Sequence, residues 1–246
     1  MNRVFEAEDW QQYRMKTTEP HARLEPLLKE AAVVKRCLEA VRDAGMIDTV
    51  DYDDLRFRAF RAAVAARFDI PWTAITPRMQ RLIWAVNAIH RPKRMVAAGV
   101  FCGNTFISNA GAAIGPGAAY EAEDLVGIEI KAEEAERAAR NVETLDKSGV
   151  ARIVAGDAVE FCENYDGEID LLYLDADGAG GKGKGIYLEI LEVSFEKMPK
   201  GALVLAHNSI NCAERLSNYL AFVRSDAMSA SINCMVDSEG LEISMK

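Results

Sequence analysis

At 246 residues, half of them hydrophobic and 27% charged, the chain is long enough to bury a full core and fits one large domain, or one domain with a helical appendage. A formal charge of −9 with no stripe dense in lysine or arginine argues against a nucleic-acid partner, because phosphate binding needs a concentrated positive surface. No apolar run reaches the roughly 18 residues of a membrane span, the first residues lack the apolar core of a signal peptide, and five cysteines without CxxC spacing suit a reduced, cytoplasmic protein better than a disulfide or zinc framework.

The first 90 residues read as helices. In "HARLEPLLKEAAVVKRCLEAVRDAG", Leu24, Leu27, Leu28, Ala31, Val34, Leu38 and Val41 recur at helical spacing, and Gly45 is a C-terminal stop. "DYDDLRFRAFRAAVAARFD" repeats the pattern, with Leu55, Phe60, Ala63 and Val64 on one face and Asp51 or Asp53 as cap. "TPRMQRLIWAVNAIH" follows, its proline one residue past Thr76 in a favoured helix-start arrangement. Trp10, Tyr13, Trp72 and Trp84 fall in this region and could wall a planar substrate, but aromatic residues in helical segments are more often core, and that is the expectation for them.

From Arg94 the rhythm changes. The apolar runs "RMVAAGV", "DLVGIEI", "ARIVAG", "IDLLYLD" and "ALVLAHN" alternate with helical stretches starting near Asn104, Ala132, Ala158 and Tyr187. That alternation argues for a parallel sheet covered on both faces. After a helix in "CAERLSNYLAFVRS", the chain closes with "SASINCMV" and "LEISMK". These strands are joined by "DSEG" and must pair antiparallel, since a parallel return needs a long crossover. The expected fold is α/β: a Rossmann-like, doubly wound, mostly parallel seven-stranded sheet with a C-terminal antiparallel hairpin and an N-terminal helical extension. The domain division is 1–74 for the extension, a lid or dimer-contact region, and 75–246 for the sheet domain.

In such sheets ligands bind beyond the carboxyl ends of the strands. The first strand runs into "AGVFCGNT", where Gly99 and Gly103 permit a tight turn and a close ligand approach, and Thr105 adds a donor at a helix start. The second ends in Glu129, suited to bridging the two hydroxyls of a ribose. The third ends in "AGDAVEF": Asp157 caps the following helix or accepts from an adenine amino group, with the Ala158 amide beside it, and both roles are compatible. The fourth and fifth bring Asp175, Asp177, His207 and Asn208 onto adjoining loops, and Asp, His and Asn are all competent ligands for a divalent cation.

The succession "GVFCGNT", "GIEI", "GDA", "YLDAD", "LAHN" and a terminal hairpin resembles the class I S-adenosylmethionine (SAM)-dependent methyltransferases. More narrowly it is similar to the cation-dependent catechol and caffeoyl-CoA O-methyltransferase group, over roughly Ile75 to Lys246. The resemblance implies SAM as cofactor, with Gly99, Phe101 and Thr105 at its methionine end, Glu129 on the ribose, and Asp157 and Ala158 at the adenine. It implies a divalent or transition-metal cation on Asp175, His207 and Asn208, orienting two vicinal oxygens of a small-molecule substrate; Asp175 borders the cofactor as well. A homodimer is compatible with an exposed face on the first long helix.

Three positions depart from that pattern. A carboxylate expected two residues before the first glycine is Ala97, which weakens recognition of the cofactor's amino group. The metal pair is His207-Asn208 rather than Asp-Asn, a softer donor set that disfavours magnesium. The catalytic lysine's position holds Gly178, leaving Lys182 or Lys184 to reach back as base, or His207 itself to serve. Two rival readings follow from these residues. A catalytically decayed methyltransferase acting as a ligand-binding or partner subunit would explain the departures. "GAGGKGK" (178–184) has GxxxxGK phosphate-loop spacing, but Gly185 stands where a magnesium-binding Ser or Thr belongs. A nicotinamide-dependent oxidoreductase is disfavoured, since the first loop is not GxGxxG.

Overall fold

The computed structural model describes residues 3–178 and 181–246. An edge strand β1 (Arg3–Glu6) precedes three helices, α1 (Leu27–Asp43), α2 (Asp54–Arg67) and α3 (Pro77–His90). The alternating region then unfolds as β2 (Arg94–Ala98), α4 (Asn104–Ala110), β3 (Asp124–Glu129), α5 (Ala132–Glu143), β4 (Ala151–Ala155), α6 (Ala158–Asn164), β5 (Leu171–Leu174), α7 (Ile186–Phe195) and β6 (Leu203–His207). Helix α8 (Ser217–Val223) and strands β7 (Ala230–Met235) and β8 (Leu241–Met245) complete the chain.

The strands form one sheet in the order β1-β7-β8-β6-β5-β2-β3-β4. β8 runs antiparallel to both β6 and β7, and every other pair is parallel. The mostly parallel sheet and the terminal hairpin are as expected, but the strand number is corrected from seven to eight among the described residues. β1 lay in the stretch read as helical. Its four residues "RVFE" are largely exposed and carry too little periodicity to read; their partner is the open edge of β7, over 200 residues away in sequence.

Side chains alternate across the sheet. Met95 and Ala97 of β2 enter one core with α1 to α4, while Val96 and Ala98 enter the other with α6 to α8. The first core also contains Val34, Leu38, Phe57 and Phe60, so the N-terminal helices pack directly over the sheet across the 74/75 boundary. Thr76 caps α3 as expected, accepting from the Met79 N–H at 3.1 Å, and Asp53 caps α2.

Two apolar assignments in the helices are corrected. Leu28 is 83% and Leu55 74% exposed. Pro26 delays the start of α1 until Leu27, and its buried stripe runs Glu30, Val33/Val34, Cys37/Leu38, Val41, one position out of phase with Leu28. In α2 the buried face is Phe57, Phe60 and Val64. Fully burying each phenylalanine is worth about 1.5–3 kcal/mol, so the two rings set the rotation of α2 and turn Leu55 to solvent.

Candidate active site

The strand order reverses between β2 and β5: one half of the chain winds outward through β3 to β4, the other through β6. At the carboxyl ends of these strands lies a cavity of about 580 Å³, within the usual range for a small-molecule site. It brings together Gly99, Phe101, Thr105, Glu129, Asp157, Ala158, Asp175, Lys182, Lys184, His207 and Asn208, and Gly103 alone of the expected residues does not line it.

The two glycines work differently from expectation. Both have positive φ, +78° at Gly99 and +87° at Gly103, as the tight turn requires. The close approach each permits is to protein. A Cβ on Gly99 would sit 2.3 Å from the Ala176 Cα, and one on Gly103 would sit 3.3 Å from Ala138 of α5. Gly99 thus lets the loop after β2 lie against the loop after β5, which carries Asp175. Gly99→Ala is expected to cost about 2–4 kcal/mol in urea unfolding, from backbone overlap and a left-handed conformation together; wild-type stability in that variant would refute the packing argument.

Glu129, only 8% exposed, is fixed at the end of β3 by two backbone donors. The Phe101 N–H reaches its Oε2 at 2.8 Å and the Lys131 N–H its Oε1 at 3.1 Å. A carboxylate has about four acceptor positions, so capacity remains toward the cavity for a pair of hydroxyls. Phe101, itself at φ +49°, stacks on Trp72 with ring centroids 4.6 Å apart. Trp72 is not in the core but takes the alternative place, as a wall: it sits in the extended segment before α3, half-exposed, and lines the cavity, whereas Trp84 is in the core as expected. Its signal was position, next to Pro71 and outside both helical runs. Asn104 was missed; it is buried, lines the cavity, and its Oδ1 has no partner. Asp157 is the N-cap of α6, its Oδ1 accepting from Val159 and Glu160 N–H groups at 2.8 and 3.2 Å. Ala97 is fully buried in the first core.

On the opposite wall, Asp175 and His207 end adjacent strands. His207 is 2% exposed; its Nδ1 lies 3.4 Å from Asp175 Oδ2, and neither ring nitrogen has a well-formed hydrogen bond. The Lys184 ammonium donates to Asp175 Oδ1 at 2.9 Å and to the Asp175 carbonyl at 2.8 Å. Burial raises the cost of charge on all three groups, but their mutual attraction prevails. Asp175 is held below the usual carboxylate range by Lys184 and His207, and Lys184 and His207 are held above their ordinary values by Asp175.

This geometry corrects the lysine assignments. Lys184 stays protonated at neutral pH and cannot accept a proton, and Lys182 is half-exposed and donates to both oxygens of Glu189, at 2.7 and 2.9 Å. The metal set is compromised at Asp175, one of whose oxygens is taken by Lys184, while Asn208 donates its Nδ2 to Glu239 Oε2 at 3.0 Å, a bond that does not involve the Oδ1 that would ligate a cation. Among the described residues, no three or more His, Cys, Asp or Glu side chains are grouped to hold a metal ion. Glu239, from the β7–β8 turn, is a further wall residue that the hairpin's sequence gave no sign of. A nucleotide-binding reading of "GAGGKGK" is not supported by its lysine, two of whose three donors are turned to Asp175; Ala179 and Gly180 of that motif lie outside the described residues. A cofactor with a ribose fits: Glu129 offers acceptors for the diol, Asn104 an unused one, and Phe101 and Trp72 an aromatic wall.

An open α/β sheet with a reversed terminal hairpin, and a cavity at its switch point bounded by the acid of the second parallel strand, defines the class I methyltransferase fold. Residues 96–209 match the family model described as a methyltransferase domain, the resemblance that the motifs implied. The fold is similar to that of a Podospora anserina methyltransferase solved with SAH bound (TM-score 0.59, 13% identity, covering 92% of this chain and 99% of that one). It is also similar to the O-methyltransferase TomG from Streptomyces achromogenes, involved in tomaymycin synthesis and solved in complex with SAM (0.57, 20%, 79% and 90%). A third is an O-methyltransferase from Bacillus cereus in complex with SAH (0.56, 13%, 81% and 94%). No curated protein sequence matches the chain. Among the described residues no helix is long and apolar enough to cross a membrane.

Proposed function

We propose that the protein transfers a methyl group from SAM to a hydroxyl oxygen of a small molecule, with His207 as the general base. The observation that carries this reading is a buried imidazole without a well-formed hydrogen bond, held against Asp175, on the same cavity as a carboxylate preset for a ribose. SAM and SAH occupy the solved neighbours, which supports the choice of cofactor.

When bound, SAM supplies a methyl group already made electrophilic by its sulfonium. The protein must therefore align an acceptor oxygen with it and remove that oxygen's proton. Glu129 holds the ribose hydroxyls and Phe101 with Trp72 bounds the cofactor's side of the cavity. His207 accepts the acceptor's proton at a ring nitrogen, and Asp175 stabilises the imidazolium that forms. Because Lys184 engages Asp175, the steps here are routed through Lys184, Asp175 and His207 and not through a divalent cation.

Isothermal titration with SAM and SAH, followed by an SAH-release assay over a panel of phenols and alcohols, tests the reading. Wild type should bind both ligands, and Glu129→Ala should bind them about 10–100-fold more weakly, the worth of hydrogen bonds to a charged group. A chain that binds neither ligand is not a working methyltransferase and would instead be a decayed relative with another ligand.

A further inference from the structure

The glycine-rich loop after β5 has no part in the mechanism above, yet it delivers a charge into the centre of the site. Its ends are tied together: the Gly178 N–H donates to the Gly183 carbonyl at 2.9 Å, and the Gly183 N–H returns to Gly178 at 3.2 Å. Gly183 adopts φ +50°, which the reversal needs. The closed loop turns the chain back so that Lys184, nine residues after Asp175, reaches Asp175's own carboxylate and carbonyl. The lysine is 7% exposed, in a position where an unpaired ammonium would be costly.

An ammonium has three N–H donors. Two are spent on Asp175, and the nearest other carboxylate, the exposed Asp177, stands 3.6 Å away, beyond hydrogen-bond range. One donor is left for a ligand oxygen in the cavity that Lys184, Asp175 and His207 share. Asp175 is also the one carboxylate among the three candidate metal donors, and Lys184 neutralises it.

Resting on the methyltransferase reading, we propose that Lys184 is a built-in cation occupying the seat that Asp175, His207 and Asn208 would otherwise offer a divalent ion, and that the acceptor is accordingly a single-hydroxyl compound. A divalent ion chelates two vicinal oxygens and fixes both. A lone ammonium with one spare donor holds one oxygen, next to the imidazole that takes its proton, and gains nothing from a second hydroxyl. The positive charge stabilises the oxyanion as it forms.

The test separates this proposal from the activity it rests on. Wild-type protein, purified and treated with chelator, is titrated with Mn²⁺ up to millimolar concentration and read by electron paramagnetic resonance, with Asp175→Asn as the control. Wild type is expected to show no bound Mn²⁺ that Asp175→Asn removes; an Asp175-dependent ion in wild type overturns the proposal whether or not the protein methylates anything. In the SAH-release assay, turnover of a monohydroxylated aromatic is expected to persist in chelator and to match or exceed that of its vicinal diol analogue. Lys184→Met should lose about 100-fold in kcat, the worth of a donor aimed at developing charge, with Lys184→Arg recovering part of it and circular dichroism showing both folded. Abolition of activity by chelator, strict preference for the diol, or full activity in Lys184→Met would each overturn it. Absence of SAM binding would sink the methyltransferase reading while leaving the Mn²⁺ result standing.

Discussion

His207→Gln is expected to lower kcat by about 10²–10⁴-fold with SAM affinity nearly unchanged, the signature of a lost general base. The imidazole ends β6, is packed from water, and is fixed against Asp175 rather than against a cofactor-binding residue. Its pH dependence makes the assignment specific. Burial disfavours the imidazolium, but the carboxylate 3.4 Å from Nδ1 outweighs it and sets the pKa above the ordinary 6.5. A base works when neutral, so kcat/KM should rise with pH and level off only above that raised value. The limb should move to lower pH in Asp175→Asn and vanish in His207→Gln. Linkage gives a second sign: the protonated pair adds stability that is fully present below pH 6.5 and is lost as pH rises through the folded value. The wild-type advantage over His207→Gln in urea unfolding should therefore shrink at alkaline pH. Unchanged turnover in His207→Gln, with the acid limb intact, removes the histidine from the mechanism.

The parts of the site that could be read from sequence share one property: a local strand end. Gly99, Glu129, Asp157, Asp175 and His207 each follow a short apolar run, and the parallel topology brings such ends to one edge of a sheet. What escaped reading depends on contacts distant in sequence or on loop closure. β1 is a strand because β7 offers an unpaired edge, not because "RVFE" is a strong strand former. Lys184 was in view as a base, but its role turns on the Gly178–Gly183 bridge, which is invisible in a run of glycines. Glu239 comes from a turn after the sheet, and the choice between core and wall for Trp72 turns on a segment before it. The histidine as metal ligand was the sharper sequence idea, and it weakens because a lysine reaches the aspartate it needed.

Arg78→Met should destabilise the fold by about 3–5 kcal/mol, the cost of leaving buried charges without their partner. Arg78 lies in the first turn of α3, yet its side chain is fully buried and all five N–H donors are used. Nε and Nη2 reach Glu25 at 2.6 Å each, Nη1 and Nη2 reach Asp9 at 2.7 and 3.1 Å, and Nη1 also reaches the Val236 carbonyl at 3.2 Å. The guanidinium lies 3.7 Å from the centre of the Tyr13 ring. One side chain thus ties the segment before α1 to α3 and to the end of β7. Methionine fills the volume but strands Glu25, whose side chain is 5% exposed, and Asp9 with it. The hydrogen bond from Arg78 is the main reason Asp9 is held well below the ordinary carboxylate value of 3.8. A depressed pKa contributes stability present above the unfolded value and lost as pH falls through the folded one, so the gap between wild type and Arg78→Met should narrow below about pH 4. The effect should reach the site, because Thr76, two residues before Arg78, donates to Asp237 at 2.6 Å, and Asp237 holds the turn that presents Glu239 to Asn208. Urea unfolding from pH 3 to 8 with SAM titration on the same variant measures both; a loss below 1 kcal/mol at neutral pH would show that the arginine is replaceable packing and not the clasp of the N-terminal segment.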